Sequence, residues 1–324
     1  MNVFSDSNAV VRPARPSGPD WTPTAANIML GRAVKDLRER AGLTQKDLAG
    51  RIHVSAATIN RLENADTTPM RRTVESVIGL LGPDSATRDG LLMMLARTEE
   101  PEWFQHRFED CTPDHLRRLL GLESMAIHIT SYDVRLVSGL LQTPEYAAHI
   151  IRTGLHLTEW RGPEAERRLA QRLERQERVL GQADPPRCVF LMDESVLIRR
   201  VGPDEVMRGQ LVRLRELTDL PHIVIRFVLF DRFIAGNAGS MAGSMAQLQF
   251  GRGGLPDLVY VEGYEKADYF TPPPRRARSP ERPPTPRENH FERHLQLLLR
   301  IQGEACASPA ESRRMLDEAI SRYS

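Results

Sequence analysis

The sequence predicts a mainly α-helical protein whose second domain is α+β. Through residues 25–98, apolar residues recur at helical spacing between cap residues, and this pattern defines five short helices. Four short β-branched or apolar runs, typical of strands, are confined to the region between Arg187 and Val261. Helical patterns surround these runs, which favours a helix-rich domain with a small, mostly antiparallel sheet.

Length and composition favour two domains. The 324 residues are enough for two cores. We predict a disordered tail at 1–24, a five-helix domain at 25–98 and a larger domain at 99–324. The tail is rich in Pro, Ser and Asp and lacks periodicity. The segment 271–290 holds seven prolines and five arginines, which predicts an extended insertion.

Charge and cysteine content exclude several classes of protein. The net charge is +1, yet Arg32 to Arg72 contains nine Lys or Arg against five Asp or Glu. A small basic module on a near-neutral body suits specific nucleic-acid binding. The three scattered cysteines form neither a disulfide framework nor a metal pattern. No apolar signal segment or membrane span is visible, so we expect a cytoplasmic, nucleoid-associated protein without a membrane partner.

The most informative stretch reads LTQKDLAGRIHVSAATINRLE, from Leu43 to Glu63. Thr44 and Ser55 are suited to cap two short helices, and the residues between them include a tight turn. Ile59 and Leu62 lie three apart and are expected to face the core. The opposite side of the second helix is small at its start and polar further along. A helix that enters the DNA major groove needs this shape.

Each exposed residue of this stretch suits a contact with duplex DNA. Arg61 can form a forked pair with guanine, and Asn60 can pair with adenine or phosphate. Two alanines and the Thr58 methyl can pack on thymine methyls, and Gln45 stands at a helix N-terminus that attracts phosphate. Arg71 stands near the start of the next helix as a candidate phosphate clamp. The predicted DNA contacts are Gln45, Ser55, Ala56, Ala57, Thr58, Asn60, Arg61, Thr68 and Arg71.

The motif GLTQKDLA followed by VSAATINRLEN resembles the helix-turn-helix of the XRE class, the fold of the lambda-type phage repressors. The resemblance runs from about Asn27 to Leu81. It implies a lambda-repressor-like five-helix domain, and an ion pair between Arg38 of the first helix and Glu63 at the end of the recognition helix. Where the family has glycine after that helix, this chain has Ala65, and we expect Asn64 to adopt the left-handed cap.

The remaining elements follow from pattern and caps. We predict one long helix over 114–133, a helix opened by Pro144, a charged helix over 164–180 and a helix over 204–217. The strand patterns cover 187–192, 222–230, 246–250 and 258–261. Two closing helices begin near Phe291 and at Ser308-Pro309.

A second resemblance covers most of this region. The pattern LExxAxxIxxYxxxLVxGLLQTPEYA, from Leu122 to Ala147, is similar to the second domain of many actinobacterial XRE-class regulators. That domain has no agreed biochemistry, and some relatives are antitoxin-like. Ser138 stands where the family usually has proline, and the family's counterpart of 271–290 is normally short.

No catalytic or metal-binding constellation is recognisable. Nothing pairs a nucleophile with a base, and no phosphate loop is present, so we expect neither an enzyme nor a cofactor. His290 and His294 lack a third ligand, so we expect no metal. The acidic and aromatic groups at strand ends, Glu194, Glu262 and Tyr264, form a candidate effector pocket.

Together these features predict a sequence-specific transcription regulator, a repressor that binds double-stranded DNA as a homodimer under control of its C-terminal domain. One alternative is an antitoxin-like protein that binds a small partner encoded by a neighbouring gene and autoregulates. Another is a regulator whose second domain receives a small molecule.

Overall fold

The computed structural model describes residues 24–105, 107–155, 162–232, 243–251, 257–263, 266–272 and 289–323. The predicted tail at 1–24, apart from Thr24, lies outside the described residues. So do Tyr264 and most of the predicted insertion at 271–290.

Five helices form the N-terminal part, as the sequence predicts. They are α1 (Ala25–Arg40), α2 (Gln45–Arg51), α3 (Ala56–Asn64), α4 (Arg71–Leu81) and α5 (Ser85–Arg97). Four of them begin after a side chain that accepts a hydrogen bond from a backbone N–H of the first turn; these caps are Thr24, Thr44, Ser55 and Asp84. Thr44 and Asp47 complete a reciprocal capping box on α2.

The end of α3 differs from the prediction by one residue. Ala65, not Asn64, adopts the left-handed conformation, with φ of 57°. The Asp66 N–H donates to the Arg61 carbonyl at 2.9 Å, and the Ala65 N–H donates to the Leu62 carbonyl at 3.3 Å. This pair of bonds is the Schellman arrangement, which places the left-handed residue one position beyond Asn64.

Within its described residues, the C-terminal part combines six α-helices with six strands. Its helices are α6 (Asp114–Glu123), α7 (Pro144–Leu155), α8 (Gly162–Leu180), α9 (Asp204–Leu217), α10 (His290–Arg300) and α11 (Pro309–Ser321). Its strands are β1 (His128–Asp133), β2 (Arg187–Asp193), β3 (Ile223–Val228), β4 (Met245–Gln249), β5 (Leu258–Glu262) and β6 (Ala267–Phe270).

The strands form one mixed sheet in the order β3-β2-β1-β4-β5-β6. β1 pairs with β2, and β2 with β3, in parallel, whereas the pairs β1-β4, β4-β5 and β5-β6 are antiparallel. Antiparallel pairs are therefore the majority, as expected. β1, β2, β3 and β5 all run in one direction, so their carboxyl ends share one edge of the sheet.

The long helix predicted over 114–133 is wrong in its second half. α6 ends at Glu123, and residues 128–133 form β1 at the centre of the sheet. The segment HITSYD is rich in β-branched and aromatic residues and gains backbone hydrogen bonds from strands on both sides. Tertiary pairing of this kind outweighs a weak local helical pattern. β6 is also a strand that the sequence patterns did not indicate.

The sheet packs on both faces. One face joins the main core, to which Ile129, Phe190 and Leu258 contribute, together with apolar residues of the N-terminal helices. The other face, with Tyr132 and Leu191, packs against residues of α10 and the π-helical turn that follows it. Cys111, Cys188 and Cys306 are buried and unbridged. Among the helices that the structure describes, none combines the length and apolar character of a bilayer crossing.

The N-terminal helices are fastened to the C-terminal part at the start of α1. The Ala25 N–H donates to the Glu102 carboxylate at 3.0 Å. A Cβ on Gly121 of α6 would lie 2.7 Å from the Ala25 Cβ, so only glycine allows this approach. α1 therefore touches both parts of the chain and also packs on α3.

Candidate nucleic-acid interface

The helix-turn-helix formed by α2 and α3 rests on a close crossing with α1. Ile59 is fully buried, and Leu62, Leu48 and Ala49 join it in the core. A Cβ on Gly31 of α1 would lie 2.4 Å from the Leu62 carbonyl oxygen and 2.9 Å from that of Glu63. Glycine at position 31 thus lets α1 lie directly against the backbone of α3. The crossing fixes which side of α3 faces outward.

A buried ion pair fixes the end of α3. Arg38 Nε donates to Glu63 Oε1 at 2.5 Å, and Nη2 donates to Oε2 at 2.9 Å. Arg38 Nη1 also donates to the Leu43 carbonyl at 2.8 Å, which ties the pair to the turn before α2. Both side chains are buried, and the hydrogen bonds with Glu63 raise the pKa of Arg38. The forked pair joins α1 to α3, and the bond to the Leu43 carbonyl adds the turn before α2.

The same carboxylate positions Gln45 at the start of α2. Gln45 Nε2 donates to Glu63 Oε2 at 2.8 Å, and lies 3.4 Å from Asn60 Oδ1. Asn60 Oδ1 also accepts from Asn64 Nδ2 at 3.2 Å. Gln45 and Asn60, which the sequence assigns to DNA contact, therefore lie side by side on one surface.

The outward side of α3 has the small and polar character that the sequence predicts. Ser55, Ala56, Ala57, Asn60 and Arg61 are exposed, and Thr58 is half-buried. Ser55 Oγ accepts from the Thr58 N–H at 3.1 Å, so its side chain is engaged in capping. Arg61 Nε donates to the Ala57 carbonyl at 3.3 Å, and within the described residues its guanidinium makes no ion pair. It is therefore available to an incoming ligand.

Thr68 and Arg71 lie beside this surface. Thr58, Arg61 and Thr68 line a shallow hollow between α3 and the loop that follows it. Arg71 is exposed at the start of α4 but is held by two carboxylates, Glu99 at 3.4 Å and Glu75 at 3.7 Å. The hydrogen bond to Glu99 raises the pKa of Arg71. Arg71 must leave these partners to bind a phosphate.

The residues predicted for an effector pocket are not adjacent. Glu194 follows β2, and its carboxylate accepts from the Phe230 N–H. Glu262 ends β5, three strand positions away in the sheet order, which corresponds to about 14 Å. Tyr264 lies outside the described residues. Glu194 and Glu262 thus share the carboxyl edge of the sheet but lie on opposite sides of β1.

The structure places three charged residues near Glu262 that the sequence patterns did not single out. Asp133 ends β1, and Arg172 and Arg175 belong to α8. The sequence pattern does not place Asp133 at a strand end, because it predicts a helix for this segment. The two arginines do not stand out in the sequence, because α8 is rich in Arg and Glu throughout. Such a composition is typical of a helix with a solvated surface. No group of three metal-ligating side chains occurs in the ranges that the structure describes.

Two family models match the chain. A model described as a helix-turn-helix domain matches residues 29–91, which include all of α2, α3 and α4. A model described as a domain of unknown function, DUF5753, matches residues 116–279. Neither a curated protein nor a solved structure matches the chain significantly. The first match, with the exposed face of α3, supports a DNA-binding regulator. The second spans more than half of the residues, so the chain belongs to the DUF5753 family and carries a helix-turn-helix domain ahead of the family domain.

Proposed function

We propose that the protein is a sequence-specific transcription regulator of the XRE class that represses its target, with α3 as the recognition helix. The observation that carries this proposal is the two-sidedness of α3. Ile59 and Leu62 are buried, whereas Ala57, Asn60 and Arg61 are exposed. A helix with a narrow, uncharged first turn and polar groups further along fits the major groove.

Each exposed group has a defined role in this proposal. Arg61 pairs with a guanine, Asn60 with an adenine or a phosphate, and Ala57 packs on a thymine methyl. Gln45, held by Glu63, contacts the DNA at the N-terminus of α2, where the helix dipole favours phosphate. Ser55, Ala56 and Thr58 line the first turn of α3, and Thr68 and Arg71 contact the backbone beside it.

We propose further that the protein acts as a dimer on a two-fold related site. One small domain contacts few phosphates, and non-specific binding of such domains is only about 10⁻⁴ to 10⁻⁶ M. Two copies joined on one duplex reach useful affinity because the second contact becomes intramolecular. Half-sites are then expected one helical turn apart, or a multiple of it.

The division of labour along the chain is part of the same proposal. Residues 25–98 bind DNA, and residues 99–324 control that binding. The contact between Ala25 and Glu102 supports control through α1, since α1 packs on both α6 and α3. The resemblance of residues 122–147 to actinobacterial regulators supports the same arrangement. In the antitoxin-like alternative, the control domain holds a small protein, and a stoichiometric protein would co-purify from the native host.

Selection of DNA by the purified full chain tests the function. The protein is mixed with a pool of random duplexes in dilute salt, and the bound DNA is sequenced. We expect an enriched inverted repeat. Ala57→Glu, which puts a negative charge on the outward face of α3, should abolish enrichment. Ala86→Glu makes the same change on the exposed first turn of α5 and should preserve it. If the DNA bound by the wild-type protein shows no enriched sequence, the proposal is contradicted.

A further inference from the structure

The carboxyl edge of the sheet brings two acidic side chains to the same level. Tyr132 of β1 and Val261 of β5 both pair with Met245 of β4, so the next residues, Asp133 and Glu262, flank Ser244. The Val134 N–H lies 3.4 Å from Ser244 Oγ, and the Glu262 N–H donates to the Ser244 carbonyl at 2.9 Å. Side chains alternate along a strand, so Asp133 and Glu262 share one face of the sheet.

Helix α8 lies above this face and directs two arginines toward it. Arg175 forms a forked pair with Glu123, at 2.7 and 2.8 Å, and it also interacts electrostatically with Tyr260 and Glu262. Its side chain keeps 14% of its surface exposed, whereas that of Glu123 keeps 3%. A Cβ on Gly139 would lie 3.3 Å from Arg175 Nη1, so the turn before α7 also approaches the guanidinium.

Arg172, one turn earlier, interacts electrostatically with Glu262 but makes no ion pair at salt-bridge distance among the described residues. Its only hydrogen bond there runs from Nη1 to Gln142 Oε1, at 2.6 Å. Gln142 is itself held by the Val137 carbonyl at 2.7 Å, so it positions the guanidinium without neutralising it. Arg172 is half-buried, and burial lowers its pKa to about 10. A guanidinium that is largely removed from water and has unused N–H donors favours an anion.

A second group without a hydrogen-bond partner lies on the same face of the sheet. Tyr260 is 4% exposed, and its hydroxyl has no hydrogen-bond partner in the part of the chain that the structure describes. Ser131, Ala246 and Tyr260 are paired across β1, β4 and β5, so they share the face that carries Asp133. Buried hydroxyls are normally hydrogen-bonded, so the Tyr260 hydroxyl has bonding capacity to offer a ligand.

We propose that Arg172, Tyr260, Asp133 and Glu262 form a binding site for a small carboxylic acid that also carries a hydroxyl or ammonium donor. The ligand carboxylate takes the free N–H groups of Arg172 and the Tyr260 hydroxyl. Its donor faces the carboxyl oxygens of Asp133 and Glu262. Glu262, together with Asp133 once it has lost its proton, disfavours phosphate, because a doubly charged anion would be placed close to negative charge.

A thermal-shift titration of the full chain tests this site. The probes are lactate and glycine, which carry a carboxylate and a donor, acetate, which carries the carboxylate alone, and inorganic phosphate. All are compared at equal ionic strength. We expect lactate or glycine to raise the melting temperature in a saturable manner, acetate to do so less, and phosphate least. No DNA is present, so failure here leaves the DNA-binding proposal standing.

Variants of α8 separate a site from a general effect of anions. Arg172→Met should remove the saturable rise, and Arg172→Lys should weaken it, because lysine keeps the charge but loses the fork. Arg178→Met removes another arginine of α8, one that is paired with Glu174, and should keep the rise. Three results would overturn the proposal: no saturable rise with any probe, a rise that Arg172→Met retains, or equal rises with phosphate and lactate.

Discussion

At the scale of single residues, Glu63 is the junction of the helix-turn-helix. Its two carboxylate oxygens receive Arg38 from α1 and Gln45 from α2. A buried carboxylate of this kind is stable only while its donors are present, because an unpaired buried charge costs several kcal/mol. The orientation of α3 therefore depends on Arg38, which is buried away from the outward face of α3, as well as on Gln45.

Removing one member of the Arg38–Glu63 pair should lower the free energy of unfolding more than removing both members. Arg38→Ala leaves Glu63 buried without its main partner, and we expect a loss of about 3–5 kcal/mol in the free energy of unfolding. The double variant Arg38→Met with Glu63→Leu should recover much of this loss. Denaturant unfolding of the full chain measures both. An unchanged midpoint for Arg38→Ala would contradict the role assigned to the pair.

Arg71 is expected to contact phosphate and not a base. Arg71→Ala should weaken binding equally on every DNA sequence and should reduce the slope of log K against log salt by about 0.9. Because Arg71 must first leave Glu99 and Glu75, the variant Glu99→Gln should strengthen binding modestly. Fluorescence anisotropy at several salt concentrations measures both effects. A slope that Arg71→Ala leaves unchanged would remove Arg71 from the interface.

Asp133 makes stability depend on pH. Burial raises its pKa from 3.8 to about 7, although the Ser131 hydroxyl donates to it at 2.8 Å and Arg175 is near. The folded state therefore holds the proton more tightly than the unfolded state. The stability that this proton contributes is complete below pH 3.8 and is lost as the pH rises to about 7.

Asp133→Asn should remove this dependence. We expect the melting temperature of Asp133→Asn to rise relative to that of the wild type as the pH is raised from 5 to 8. The reason is that only the wild type carries a buried charge at the higher pH. Each kcal/mol in the free energy of unfolding corresponds to about 2–4 °C in melting temperature for a domain of this size. Melting temperatures across this pH range give the difference. A difference that stays constant with pH would show that Asp133 is not protonated in the folded state at pH 5.

At the scale of elements, α1 crosses α3 at backbone contact distance, at Gly31. Gly31→Ala places a methyl group where the Leu62 carbonyl lies, so α1 must move away from α3. We expect lower stability and weaker DNA binding. Gly50→Ala in α2 is the matched control, since nothing lies within 4 Å of its Cβ position. Its helix propensity should make it neutral or stabilising by up to about 1 kcal/mol. If Gly31→Ala and Gly50→Ala have the same melting temperature, the close contact between α1 and α3 at Gly31 is contradicted.

The elements that could be predicted from sequence are those with local causes. Thr44 and Ser55 cap α2 and α3 through their own first turns, so the two helices follow from a few adjacent residues. β1 could not be predicted, since its strand conformation depends on partners at residues 187–192 and 245–249. The left-handed residue was misplaced by one position because the two Schellman bonds, not residue preference, decide where it falls.

At the scale of the whole molecule, the two parts of the chain meet at α1. The exposed face of α3 could be anticipated because burial of Ile59 and Leu62 fixes its direction. The acidic and arginine-rich edge of the sheet could not, since it is assembled from β1, β5 and α8, which are distant in sequence. Asp133 and Glu262, for example, are brought to the same level only by the strand order. Sequence patterns therefore indicate the proposed DNA-binding surface better than the proposed site on the second part.

The central claim is that α3 reads bases through Arg61. The most direct measurement compares Arg61→Ala and Arg88→Ala on the selected duplex and on a set with each base pair replaced in turn; Arg88 is an exposed arginine of α5. We predict that Arg61→Ala loses about 1–3 kcal/mol of discrimination at one base pair, while Arg88→Ala keeps the full pattern. If Arg61→Ala instead weakens binding equally on all the duplexes, Arg61 contacts only phosphate and the account of base recognition is contradicted.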